Sequence, residues 1–345
     1  MRKAITIALA GAILSATLAG CGNATTPSTG TTQSSDQNTK ASVTLNLGHA
    51  LSEGTPASEG IKDFAAAVAE KTDGRVAIEV FPNSMLGSET EMLEQMKIGQ
   101  LEAAAIMVGS MQSLDMKMAI EDLPYMWKDK QSARDAYDGE FGEYLGEIMQ
   151  AQGLKKISYI EWGFRHITNN VRPISTPEDM KGMSIRVAQT KLRVEAFETL
   201  GALPTIMAFS ELYGALQQGV VDAQENPLAN IVASNFNEVQ KYLSLTEHFY
   251  NTVMMVFDEN VWAKISPEDQ AVILEEAQNM SVNVRAENDI AEQGYIDELK
   301  SRGMNVNEEV DKDAFRQAML PVYDKWEKDV FGEELMTVYR NASGW

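Results

Sequence analysis

Three arginines, Arg165, Arg172 and Arg186, fall within "GFRHITNNVRPISTPEDMKGMSIRV", residues 163–187, of a chain whose formal net charge is −21. Arg186 lies inside the strand-like run "MSIRV", between Ile185 and Val187. A charge in an apolar strand needs a partner, because an unpaired buried ion is costly. The planar fork of a guanidinium meets a carboxylate two bonds to two. That carboxylate belongs either to a bound ligand or to an internal Asp or Glu, and these residues alone leave both open. Arg165 follows Gly163, where the strand "KKISYIEW" is expected to pass into a turn. Strand ends in open α/β sheets are where ligands gather, although a plain surface arginine fits the position as well. Asn226 precedes Pro227 in "DAQENP", residues 222–227. A pre-proline Asn is held extended and can aim its amide into a cleft, and it is equally at home in a turn.

Other chemistry is thinly represented. His49, His166 and His248 are far apart in the chain and show no metal-ligand spacing. Neither a GxxxxGK[ST] phosphate loop nor a GxSxG nucleophile elbow occurs. No metal and no cofactor is expected. His49, at the end of the first strand, reads as a polar ligand contact or as a satisfied hinge histidine. It is also the one visible general base if the chain were an extracytoplasmic lyase or hydrolase. The acidic balance argues against nucleic acid or an anionic membrane surface as a partner, but not against a small anion held at one local site.

These residues must be positioned by a chain of 345 residues, 44% hydrophobic and 23% charged, which suits two compact domains or one large one. Strand and helix signals alternate. "SVTLNLGHA" (42–50) alternates as a strand, and Thr55-Pro56 opens a helix that ends near Gly74. "RVAIEVF" (75–81) is a strand, Ser88 to Glu91 has capping-box spacing, and "AAAIMV" (103–108) is a buried strand. A helix is expected over 130–152, then the strand 155–162, helix 190–200, strand 203–207, helix 210–218 and strand 219–224. A helix from Pro227 to about Tyr242, the strand "NTVMMVF" (251–257) and one very long helix over 267–302 complete the series. Alternation at this spacing predicts mostly parallel sheets covered by helices.

The N-terminus reads as a targeting device. Arg2 and Lys3 precede an apolar run, Ala4 to Ala19, that closes on Leu18-Ala19-Gly20-Cys21. It is short for a membrane span and has a secretory layout. Its end resembles the bacterial lipobox, which implies a lipoprotein signal peptide over 1–20 and a lipid on Cys21, the only cysteine. Residues 21–41 contain no large apolar side chain and are expected to form a disordered tether. The chain is thus expected outside the cytoplasm, touching the membrane only through its anchor.

Together, the 163–187 stretch, "MAFSELYGALQQGVVDAQENPLANI" (207–231), "FPNSMLGSETEMLEQMKIGQLE" (81–102) and "EDLPYMW" (121–127) carry a family resemblance. Over about residues 42–340 the chain resembles the solute-binding subunits of tripartite ATP-independent periplasmic (TRAP) transporters, dicarboxylate-binding type. The resemblance implies an α/β, two-lobed, periplasmic-binding-protein-like fold with hinge strands and one long helix shared between lobes. Lobe I is expected from 42–161 plus 252–290, and lobe II from 162–251 plus 291–345. In that family an arginine in the IRV strand clamps the solute carboxylate, which matches Arg186. The arginine of the G-x-R block matches Arg165, the Asn of QENP matches Asn226, and the aromatic of AFSE, packed on the ligand's carbon skeleton, matches Phe209. Arg172 has no counterpart and is assigned to the surface.

Two departures bear on the solute. Sialic-acid binders of the family carry a glutamate where this chain has Ile106, Met107 and Val108. They also have a polar residue where Trp162 stands, and a tryptophan shrinks the cavity or stacks on a sugar ring. The resemblance therefore implies a small organic acid: a C4-dicarboxylate, or a sugar acid such as a uronate. It also implies a small and a large membrane subunit as partners, uptake driven by an ion gradient, and no catalytic step. A binding protein of the same fold serving an ATP-driven importer or a sensor kinase is the alternative.

Overall fold

A computed structural model describes residues 43–344, so the signal-like run, Cys21 and the tether lie outside the described residues. Ten strands follow in order: β1 (Val43–His49), β2 (Val76–Phe81), β3 (Ala103–Met107), β4 (Leu154–Asn169), β5 (Ser184–Val187), β6 (Leu203–Ile206), β7 (Ala223–Pro227), β8 (Tyr242–Ser244), β9 (Tyr250–Asp258) and β10 (Asn305–Asn307). Between and after them come helices α1 (Pro56–Lys71), α2 (Glu89–Lys97), α3 (Lys130–Asp138), α4 (Glu140–Ala151), α5 (Lys191–Thr199), α6 (Phe209–Gln217), α7 (Leu228–Ala233), α8 (Glu259–Trp262), α9 (Pro267–Ser301), α10 (Lys312–Trp326) and α11 (Gly332–Ala342).

Local chemistry sets the main helix starts. The Thr55 side chain accepts from the Ser58 amide with Pro56 at the first helical position of α1. Ser88 and Glu91 cap α2 reciprocally. Ser266 accepts from the Asp269 amide, and Pro267 opens the 35-residue α9. Elsewhere tertiary structure overrules the periodicity. The helix expected over 130–152 is two, separated at Gly139, whose extended backbone (φ −109°, ψ −152°) ends α3 and caps α4. The helix expected from Pro227 to Tyr242 stops at Ala233, because Asn235 turns left-handed (φ 52°) and lets Phe236 bury its ring. The strand expected over 219–224 instead occupies 223–227.

The strands run β2-β1-β3-β9-β4-β7-β5-β6, with β8 joined to the end of β4 and β10 to β8. The expectation of mostly parallel sheets holds for five of the nine strand pairs of the described residues, β8 with β10 among them, and the other four are antiparallel. β1 pairs parallel with β2 and β3, and β5 with β6 and β7, but β9 is antiparallel to β3 and β4, and β4 is antiparallel to β7 and β8. Two parallel halves are thus joined through antiparallel crossing strands. The main crossing strand is β4, whose 16 residues do not turn after Trp162 as the sequence suggested. Its first part pairs with β9 as far as Phe164, and its last part, from Arg165, pairs with β7. The register shifts between Glu161 and Gly163, and Gly163 has φ +102°, a left-handed value that a side chain would strain. A glycine bulge therefore bends the strand without ending it.

One apolar core lies between α1, α9 and the β1 half, holding Leu45, Leu47, Phe64, Ile273 and Met280. A smaller one gathers Leu212, Ile231, Phe236 and Leu299 beside the β7 half. The largest runs along both halves and takes in the C-terminal helices through Phe315, Trp326 and Tyr339.

Candidate functional site

The bend in β4 delivers Arg165 to the sheet interior. Its register partner on β7 is Pro227, one residue past Asn226. Arg165 is 1% exposed. Its Nε donates to Glu225 Oε2, and Nη2 donates to Glu225 Oε1 at 3.0 Å, to the Glu225 carbonyl at 2.6 Å and to Asn226 Oδ1 at 3.0 Å. Its guanidinium lies 5.2 Å from the Trp162 ring centroid, within cation–π range. The Trp162 indole N–H donates to Asn230 Oδ1 at 2.5 Å. Arg165 is therefore neither at a strand end nor on the surface. Its Nη1 alone is buried without a partner.

Arg186 is placed by register. It faces Gln224 of β7, so it shares a sheet face with Gln224 and with Asn226 two residues on. It is 3% exposed, and Nε and Nη2 both donate to the Met207 carbonyl, at 2.9 and 2.6 Å. No Asp or Glu of the described residues forms an ion pair with it. Burial lowers its pKa to about 10, Glu225 draws it back up, and Arg165 and Arg193 push it down. Arg186 is thus a buried cation, still charged at neutral pH, whose only hydrogen-bond partner among the described residues is a neutral carbonyl. Phe209 follows two residues after Met207 at the head of α6, half-buried, its ring centroid 6.3 Å from that of Phe236.

Sequence reasoning missed Arg193, Glu225 and Asp122. Arg193 projects from α5 into the interior and is fully buried. It donates to Asp122 Oδ1 (2.9 and 2.7 Å), Glu225 Oε1 (2.8 Å), Asn251 Oδ1 (2.6 Å) and Met107 Sδ (3.2 Å). Burial opposes its charge, but Asp122 and Glu225 outweigh that and raise its pKa. Glu225 answers both Arg165 and Arg193. Burial works against its charge, and the two guanidiniums hold its pKa well below the usual carboxylate range. The His248 Nε2 stands 3.4 Å from Glu225. A signal was available in "KLRVEAF": Arg193 falls on the helical face of Leu192, Ala196 and Phe197, all buried. A charged residue on an apolar helical stripe has to find a partner inside.

Arg165, Asn226 and Trp162 meet directly, and Arg186 and Phe209 adjoin them through Gln224 and Met207. His49, at the end of β1, is fully buried and makes no hydrogen bond to this group among the described residues. It borders a cavity of about 460 Å³ with Ser58, Lys62 and Pro82. Burial lowers its pKa to about 4, with the nearby Leu51 backbone opposing in part. Arg172, assigned to the surface from sequence, is half-buried and donates to the carbonyls of Asp179 and Lys181.

Two parallel half-sheets joined by crossing strands, with an unpaired guanidinium buried beside the junction, define the class of extracytoplasmic solute-binding proteins. The family model of bacterial extracellular solute-binding proteins, family 7, matches residues 47–329. A TRAP periplasmic solute-binding protein from a Polaromonas species, solved bound to D-erythronate, is 36% identical with a TM-score of 0.82, covering 86% of this chain and 98% of that one. Another, from Sulfurospirillum deleyianum with bound succinate, is 31% identical with a TM-score of 0.82, covering 88% and 99%. The 2,3-diketo-L-gulonate-binding periplasmic protein of Escherichia coli is 32% identical over 294 residues, 84% of this chain and 89% of that one. The chain belongs to bacterial extracellular solute-binding protein family 7, the binding subunits of TRAP transporters. Among the described residues no helix is long and apolar enough to cross a membrane.

Proposed function

We propose that this protein is a lipid-anchored capture subunit. It binds a small organic acid between its lobes and delivers it to a small and a large membrane subunit, with no catalytic step. Cys21, outside the described residues, carries the anchor. Arg186 receives the ligand carboxylate, Arg165 and Asn226 support it, and Phe209 and Trp162 pack against the carbon skeleton. The observation that carries this reading is the buried Arg186 guanidinium without a carboxylate partner. A buried ion in that state is costly, and an incoming carboxylate relieves the cost with two parallel charge-assisted bonds. The ligands of the relatives, D-erythronate, succinate and 2,3-diketo-L-gulonate, support an acid of sugar-acid or C4-dicarboxylate type.

A thermal-shift screen against small organic acids tests the proposal. A ligand at 100 times its dissociation constant adds about 2.7 kcal/mol of stability, well within detection. The shift should disappear in Arg186→Gln. A full shift retained in that variant would remove Arg186 from the site.

A further inference from the structure

We propose that the site accommodates a single ligand carboxylate and selects monoanionic hydroxy acids over dicarboxylates. The inference rests on the capture reading above and narrows its ligand. Among the described residues three arginines and no lysine are buried: Arg165, Arg186 and Arg193. Arg165 is paired with Glu225, and Arg193 with Asp122 and Glu225. Only Arg186 lacks a carboxylate. Two of the three guanidiniums are thus ion-paired with Asp122 and Glu225, and Arg186 is the one left without a paired carboxylate. One ligand carboxylate gives Arg186 that partner. A second would be desolvated with no buried cation left to receive it.

Another group around the cluster suits a hydroxyl. Glu89, at the head of α2, holds its carboxyl with the Met107 amide (2.8 Å) and the Ser110 hydroxyl (2.6 Å). Its electrostatic influence reaches Arg186. A carboxyl there accepts from a ligand hydroxyl. The chain's net charge of −21 also disfavours a dianion more than a monoanion. Lys191 is exposed at the first turn of α5. A hydrated lysine there does not replace a buried partner.

The test is calorimetry on the full chain at pH 7.5 with three four-carbon probes: D-erythronate, succinate and succinamate. Succinamate keeps the shape of succinate and makes one end neutral. D-erythronate and succinamate should each bind at least tenfold tighter than succinate, and succinate should gain affinity as the pH falls and one carboxyl protonates. Succinate binding as tightly as succinamate at pH 7.5 would overturn the inference while leaving capture by Arg186 standing. If that succinate affinity then fell in Lys191→Gln, Lys191 would be the second seat and the inference would still be wrong. Binding of none of the three, nor of any acid in the wider screen, would remove the capture reading and this inference with it.

Discussion

Arg165 and Glu225 form a two-bonded pair between β4 and β7 with both side chains sealed from water, while Arg186, one strand further along the sheet from β7, has no such pair. The two arginines therefore stand in opposite energetic positions. One completes an internal network, and the other leaves a charge uncompensated.

Removing Arg165 strands Glu225 with Arg193 as its remaining strong partner. Arg165→Met is expected to lower stability by about 3 kcal/mol, the usual scale for breaking a buried pair. Urea unfolding measures it. A loss below about 1 kcal/mol would mean that Arg193 and His248 satisfy Glu225 unaided.

Arg186→Met should do the reverse in the free protein. Replacing an unpaired buried cation by an apolar side chain of similar length is expected to leave stability unchanged or raise it by about 1–2 kcal/mol. Ligand binding should be lost in the same variant. The milder Arg186→Lys keeps the charge but not the fork, and should weaken binding by roughly 2–4 kcal/mol, or roughly 30- to 1,000-fold. Calorimetry on Lys and Met variants separates the loss of geometry from the loss of charge.

Stability should be level between about pH 4.5 and 6.5, where the contributions of two buried groups offset each other, and fall on either side. Burial lowers His49 from 6.5 to about 4, so its contribution is full above pH 6.5 and is lost as the pH falls toward 4. Burial, and then the neighbouring Asp122, raise Glu121 from 4.5 to about 8, so its contribution is full below pH 4.5 and is lost as the pH rises toward 8. Glu121 is the shared acceptor of the Thr252 amide and hydroxyl, the Gly109 amide and the Tyr137 hydroxyl. Glu121→Gln should flatten the alkaline limb by on the order of 2 kcal/mol, whatever it does to stability at pH 5. Melting curves from pH 4 to 9 read the slope, and an alkaline limb identical to that of the native protein would place Glu121 in the ionised state.

Cys21→Ser should release the protein from the membrane fraction or block its processing, because Leu18-Ala19-Gly20-Cys21 closes the apolar run. Fractionation of cells expressing each form decides it. Identical partitioning of mutant and wild type would end the lipoprotein reading.

The sequence by itself determined what is local. An arginine between Ile185 and Val187, capping groups at Thr55, Ser88 and Ser266, the span of the long helix and the motif blocks of the family are properties of short windows. Hydrogen bonds two to four residues apart set them, so they are legible without a fold. Tertiary structure decided which charges meet. Arg165 and Glu225 are 60 residues apart, Arg193 and Asp122 are 71 apart, and only the antiparallel register of β4 and β7 and the seating of α5 bring them together. His49 shows the same limit from the other side. Its place at a strand end suggested a ligand contact or a satisfied hinge histidine, and only the packing that buries it decides what its ring meets. A strand's period tells which residues share a face, and the neighbouring elements decide what that face meets.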